Sequence, residues 1–373
     1  MSSILRFLSR LDWPLLLSFF FLAGFGLIGL YSASLANASI ATESTSLLFG
    51  PMGIFWRQLM YLGCGIMIIL ITALINYSVL GRTAKLLYIF SAIFLIAVLF
   101  FGKTIRGTTG WFSIGGFGIQ PVELVKVFLV IVLATFFAGR GRQITSLMKT
   151  IISFFITLPL VIFVLLQPDF GSAVLLFLIW FGMLAISGVR KLHLFALILG
   201  ACAVAVLAWM FVLKPYQKDR IMVFWDPSRD PLGRGYNVTQ SVIAVGSGGI
   251  TGKGIGYGSQ SQLRFLPERE TDFIFAVLAE ELGFIGIMMM SILFVILLSR
   301  FYHIALTKND AFTVTMLTGF AIAIGLEVFI NIGSNIRLLP VTGVTLPFVS
   351  YGGSSLLAKC LMIGIAESVE NSR

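Results

Sequence analysis

Hydrophobic residues in this chain gather into long unbroken runs, separated by shorter charged or turn-rich stretches. The runs span 13–33, 55–76, 84–102, 122–139, 150–166, 171–187, 193–213, 272–299, 312–334 and 347–367. Lengths of about 17–28 residues suffice to cross a hydrocarbon core about 30 Å thick. Backbone polar groups cannot go unpaired in lipid, so each run is expected to be helical. The pattern predicts an all-α polytopic membrane protein of one domain, residues 1–373, with about ten transmembrane helices and a large loop, 214–271, between the seventh and eighth.

Composition agrees. Of 373 residues, 58% are hydrophobic and 11% charged, where a soluble domain would carry about 25% charged residues. Lys and Arg set the orientation. With the N-terminus inside, the short inside segments carry twelve (Arg6, Arg10, Arg82, Lys85, Arg140, Arg142, Lys149, Arg190, Lys191, Arg300, Lys308, Arg373) and the short outside segments four (Arg57, Lys103, Arg106, Arg337). Both termini are therefore expected to be cytoplasmic and the large loop extracytoplasmic. Arg6 and Arg10, an apolar run and Ala36-Asn37-Ala38 imitate a signal peptide. The run exceeds the usual h-region of about 7–15 residues, so an uncleaved first span is expected.

Cys64, Cys202 and Cys360 fall within spans and form neither a disulfide framework nor a metal-type spacing. His193 and His303 lie on the inside, so an outward site would hold no His base. The large loop mixes Gly, Pro and charge with apolar stretches. Its segment 236–246 suits a short amphipathic or re-entrant helix, and the loop as a whole suits a folded cover over a cavity mouth.

Residues 266–279 begin as a charged loop and become an apolar helix, with Asp272 at the junction. A carboxylate there is either a general base or a helix N-terminal acid beside a Thr271 cap. Glu280 and Glu281 lie about two turns deeper, and only one of them is expected to share the face of Asp272. Glu123 and Lys126 share a helix face at i, i+3; they form a structural ion pair, or Lys126 faces a phosphate. Glu327 and Asn331 sit at i, i+4 deep in an apolar run, suited to interhelical hydrogen bonding or to proton or ion transport. The Gly-rich run 246–254 lacks the Walker pattern, with Ser247 and Gly254 at the wrong positions; it is a flexible turn, or its N–H groups grip a pyrophosphate. The outside cations Arg57, Arg106, Arg220, Arg234, Lys253, Arg264, Arg269 and Arg337 form a basic face suited to lipid phosphates. Nucleic acid is not an expected partner on this side.

Several motifs occur together and in order. Gly110-Trp111-Phe112 precedes Gln120-Pro121-Val122-Glu123-Leu124-Val125-Lys126; then come Gln167-Pro168-Asp169-Phe170-Gly171, Gly235-Tyr236-Asn237, the runs 246–254 and 266–283, Leu338-Leu339-Pro340-Val341-Thr342-Gly343 and Leu346-Pro347-Phe348-Val349-Ser350-Tyr351-Gly352-Gly353. Across nearly the whole chain this resembles the SEDS family (shape, elongation, division and sporulation), in particular its rod-shape branch. Val122 departs from the pattern, where the family often has Ser.

The resemblance implies a peptidoglycan glycosyltransferase that polymerises lipid II at the outer face of the bacterial cytoplasmic membrane during elongation. The implied partners are a class B penicillin-binding protein, other elongation-complex proteins and membrane lipid. Asp272 matches the family's essential aspartate, and Trp111, Glu123 and Lys126 match its Trp, Glu and Lys. Asp272 would act as base. Lys126, with loop cations such as Arg57, Arg220 or Lys253, would hold the pyrophosphate. A divalent cation, Mg2+ or Mn2+, would suit that pyrophosphate, although no ligand cluster in the sequence requires one. The competing readings are a lipid II flippase and a non-catalytic scaffold for the penicillin-binding protein.

Overall fold

The computed structural model describes residues 11–38, 52–105, 107–114, 117–139, 144–211, 218, 222–230 and 233–372. Twelve α-helices are labelled in chain order: α1 Trp13–Ala38, α2 Gly53–Leu74, α3 Ser78–Phe101, α4 Pro121–Ala138, α5 Ser146–Leu166, α6 Phe170–Ile186, α7 Lys191–Phe211, α8 Arg234–Ser247, α9 Ser259–Gln262, α10 Ile274–Leu306, α11 Ala311–Asn335 and α12 Gly353–Asn371. Each expected span corresponds to one long helix. Seven of them (α1 to α5, α10 and α11) are long and apolar enough to cross a membrane, and α6 is shorter but strongly apolar.

Local chemistry sets the helix ends. Pro121 occupies the first turn of α4, where its missing N–H is no loss. Asp169 caps α6 by accepting from the N–H of Ser172 at 3.0 Å, and Asp310 caps α11 by accepting from the N–H of Thr313 at 3.1 Å. The core runs between helices. Trp180 is fully buried and donates to the Ser153 hydroxyl at 3.0 Å, tying α6 to α5. Helices α2 and α12 approach so closely that a Cβ at Gly364 would stand 2.9 Å from the Cα of Ile69.

One element lies outside the all-α expectation. Between α3 and α4 the chain forms a small antiparallel sheet, β1 Lys103–Ile105, β2 Thr108–Ile114 and β3 Phe117–Ile119, in the order β1-β2-β3. It carries Trp111 on β2. The expected loop helix is present as α8. The loop folds back onto the start of α10, with Ala244 packing against Leu266, Phe273, Ala276 and Val277 in a small second core.

Candidate active site

The turn before α10 is held from both sides. Glu268 sits in the left-handed region at φ 55°, and its carbonyl accepts from the N–H groups of Thr271, Asp272 and Phe273 at 3.1, 3.1 and 3.3 Å. The carbonyls of residues 270–272 point outward into partners. That of Glu270 accepts from the N–H of Tyr351 at 2.8 Å, and that of Thr271 from the hydroxyl of Ser350 at 2.6 Å. The carbonyl of Asp272 accepts from both Asn331 and Asn335 of α11, at 3.1 and 2.9 Å. Thr271 does not cap the helix: its hydroxyl turns back to the Glu268 carbonyl at 3.4 Å, and α10 begins after Phe273 without a side-chain cap.

This clamp sets the Asp272 carboxylate at the wall of a cavity of about 530 Å³. All the cavity's lining segments belong to the end of the bundle expected to face outward. The same wall holds Arg57 of α2, Trp111 of β2, and Glu123 and Lys126 of α4. Five of the seven residues expected from sequence are thereby brought together from four separate elements. The first turns of α4, α6 and α12 line the cavity too, so three positive helix ends meet there beside two cations, Arg57 and Lys126, and four carboxylates, Glu123, Asp169, Glu268 and Asp272.

A buried four-charge cluster runs from the cavity wall into the protein beneath it. Lys126 pairs with Glu123 at 2.8 Å and with Glu327 of α11. Lys359 of α12 pairs with Glu123 at 2.6 Å and Glu327 at 2.9 Å, and donates to the Ser355 hydroxyl at 2.9 Å. All four side chains are at most 8% exposed. The i, i+3 pair read from sequence is therefore half of a neutral ring spanning three helices. Glu327 belongs to this ring, while Asn331, one turn on, serves the Asp272 clamp.

Lys253 lies elsewhere. Its ammonium pairs with fully buried Glu280 at 2.8 Å, and it is not among the residues that line the cavity. Arg220 and Arg106 fall outside the described residues. The Gly-rich run does not present its N–H groups to a ligand: those of Lys253 and Gly254 donate to the carbonyls of Glu280 and Glu281 at 3.0 and 2.9 Å. They satisfy a break in α10, where Gly283 adopts φ 65°. Glu281 turns to Ser32 of α1 and to Gln262, so neither glutamate joins Asp272. Arg269, expected on the basic face, is 5% exposed and donates to the carbonyls of Ser261 and, at 3.1 Å, Ala33. Burial pulls its pKa down from the ordinary value, partly offset by the charge of Glu270.

Asp169 and Lys359, at and below the cavity, are among the polar residues not singled out from sequence as site residues. Asp169, the α6 cap, lines it and accepts from the Gln120 side chain at 3.1 Å, which joins the two Gln-Pro motifs. Lys359 stands under it. Together with Lys126 it is one of the two basic residues lying more than a helical turn inside an expected span, a signal that could have found it. Among the described residues, no group of three or more His, Cys, Asp or Glu is gathered to hold a metal ion.

The fold and cavity define a multi-pass membrane protein with a polar, charge-lined chamber at one end of its helical bundle. The family model described as "Cell cycle protein", which covers FtsW, RodA and SpoVE, matches residues 13–373; the chain belongs to that family, the SEDS proteins. It is 39% identical over 323 residues to the peptidoglycan glycosyltransferase MrdB of Escherichia coli K12, covering 86% of this chain and 87% of MrdB. Stage V sporulation protein E of Bacillus subtilis is 35% identical over 347 residues, 92% of each chain. Two solved structures share the fold. A chain from work on the structural coordination of polymerization and crosslinking by a peptidoglycan synthase complex aligns with a TM-score of 0.79 at 32% identity, covering 97% of this chain and 98% of that one. The rod shape determining protein RodA of Thermus thermophilus aligns with a TM-score of 0.70 at 30% identity, covering 97% of both.

Proposed function

We propose that this protein is a peptidoglycan glycosyltransferase that polymerises lipid II during cell elongation, working at the outer face of the bacterial cytoplasmic membrane as one integral domain. The activity of its relatives supports the reaction. The observation that carries the site is the Asp272 carboxylate, held by a clamped backbone at the wall of a cavity shared with Trp111, Arg57 and Lys126. An amphiphilic substrate suits this position: its polyprenyl tail stays in the bilayer while its sugars and pyrophosphate enter the chamber.

The transfer inverts the anomeric centre. The 4-hydroxyl oxygen of the acceptor GlcNAc forms a bond to the anomeric carbon of the donor MurNAc. The bond from that carbon to the pyrophosphate oxygen breaks, and undecaprenyl pyrophosphate leaves with the electron pair. Asp272 takes the hydroxyl proton. Arg57, Lys126 and the three helix ends stabilise the charge that grows on the leaving group. A class B penicillin-binding protein crosslinks the product strands, in line with the structural neighbour solved as part of a synthase complex.

The test is polymerisation of labelled lipid II by the purified protein with its penicillin-binding partner, with moenomycin present to silence polymerases of the other class. Asp272→Ala and Asp272→Asn are expected to lower the rate at least about 10²-fold. Full-rate glycan ladders from a folded Asp272→Asn protein would remove the base assignment. If wild type also made no ladders, a lipid II translocation assay would separate the flippase reading from the scaffold reading.

A further inference from the structure

Lys126, the cation placed to meet the substrate's pyrophosphate, is already engaged by two buried carboxylates. Moving it toward an anion in the cavity would strip both Glu123 and Glu327 of a counter-ion, and an uncompensated buried carboxylate is strongly unfavourable. The geometry points to a solution within the same cluster. Lys359 contacts the same two carboxylates, at 2.6 and 2.9 Å, and is itself 1% exposed. It donates to the hydroxyl of Ser355, on the cavity side, at 2.9 Å and is not itself part of the cavity lining, whereas Lys126 is.

We infer that Lys359 is a positioning residue that holds the charge of Glu123 and Glu327 when Lys126 turns to the pyrophosphate, so that the site can switch a lysine from protein to substrate without orphaning an acid. Glu327 is the second positioning group, and its grip on Lys126 sets how readily that lysine is released. The inference rests on the reading of Lys126 as a phosphate-binding group. Glu123 and Glu327 come from different helices, α4 and α11, and Lys359 from a third, α12. No sequence-local pair could supply this arrangement.

The prediction has a sign that a purely structural ion cluster does not share. Removing Lys359 leaves two carboxylates competing for Lys126 and should weaken binding of a pyrophosphate lipid. Removing the charge of Glu327 loosens Lys126 and should strengthen it. The full-length protein would be titrated with undecaprenyl pyrophosphate and, as the uncharged control, undecaprenol. Lys359→Met is expected to weaken pyrophosphate-lipid binding about tenfold, and Glu327→Gln to tighten it about threefold, with undecaprenol binding unchanged in both. Lys359→Arg should retain binding near wild type.

Lys126→Met separates the two levels of inference. If it leaves undecaprenyl pyrophosphate binding unchanged, the phosphate role of Lys126 falls and this proposal falls with it. If Lys126→Met weakens binding but Lys359→Met and Glu327→Gln do not shift it in opposite directions, the proposal alone is overturned. Should Lys359→Met fail to fold, Glu327→Gln decides the matter: a folded variant with no gain in affinity refutes the exchange.

Discussion

Asn335→Ala tests whether the backbone clamp on Asp272 serves catalysis. Asn335 is fully buried, and its amide donates to the carbonyls of Asp272 and Asn331, both at 2.9 Å. Truncation removes both bonds, each worth about 0.5–1.5 kcal/mol, and the one its Oδ1 accepts from the Ser241 hydroxyl at 3.2 Å, so stability should fall by at least about 1–3 kcal/mol. Asn331 still donates to the Asp272 carbonyl at 3.1 Å, and the Ser350 hydroxyl still holds the preceding carbonyl. The turn is therefore loosened, not lost. A displacement of about 1 Å in a reacting group lowers rate about 10²-fold, so partial loosening should lower kcat by about 10- to 100-fold while KM stays within about twofold. Lipid II polymerisation across a substrate series, beside a thermal melt of the same preparation, separates the two effects. The double variant Asn331→Ala/Asn335→Ala should lose more in log kcat than the sum of the single losses, because each single variant keeps the other amide on the same carbonyl. A melt shifted as expected with kcat at the wild-type level would refute the reasoning and reduce the clamp to a packing feature.

Three further outcomes follow. Gly283→Ala should destabilise the protein by at least about 1–3 kcal/mol from backbone strain alone, since Gly283 lies at φ 65° and its Cβ would stand 2.2 Å from the Gly252 nitrogen; an unchanged melting temperature would contradict the break in α10. Arg269→Met should lower stability by about 3–6 kcal/mol through two lost charge-assisted bonds, with increased proteolysis in the 248–272 loop as the readout, because that loop loses its tie to the α1 carbonyl of Ala33. Lys253→Met should lower stability by about 1.5–3 kcal/mol, as buried Glu280 loses a charged donor, yet leave KM for lipid II within about twofold; a large rise in KM would put Lys253 back among the substrate contacts.

Span-level architecture was legible because the bilayer imposes a length and an apolar composition that a single sequence displays directly. The helices of the bundle follow the runs, and α8 forms where the loop's amphipathic segment lies. The β1-β2-β3 sheet was not legible. Its strands are three to seven residues long, too short for an alternation to stand out in a Gly-rich connector. The site was half legible. Asp272 and the Glu123–Lys126 pair are visible as charges out of place in apolar surroundings. Which cation meets what depends on packing that crosses the chain: Glu123 and Lys359 are 236 positions apart. Arg269 and Lys253 looked like surface charge from their polar neighbours, but both answer groups that only folding buries, the Ala33 carbonyl and the Glu280 carboxylate.

That division explains why the position of Asp272 alone left two roles open. As a helix-end acid it would need only its local neighbours. Here every outward carbonyl of the turn is answered from far away: Glu270 and Thr271 by the 350–351 segment, Asp272 by α11. Such holding does little for a merely dipolar carboxylate, which works at any orientation near the helix end. It matters for a base, which must meet one proton at hydrogen-bond distance from a substrate anchored elsewhere in the cavity. Lys126 and Asp272 sit on separately held elements, with the ion ring of α4, α11 and α12 around one and the asparagine pair of α11 behind the other. Helix α11 contributes to both, through Glu327 and through Asn331 and Asn335, one and two turns further on.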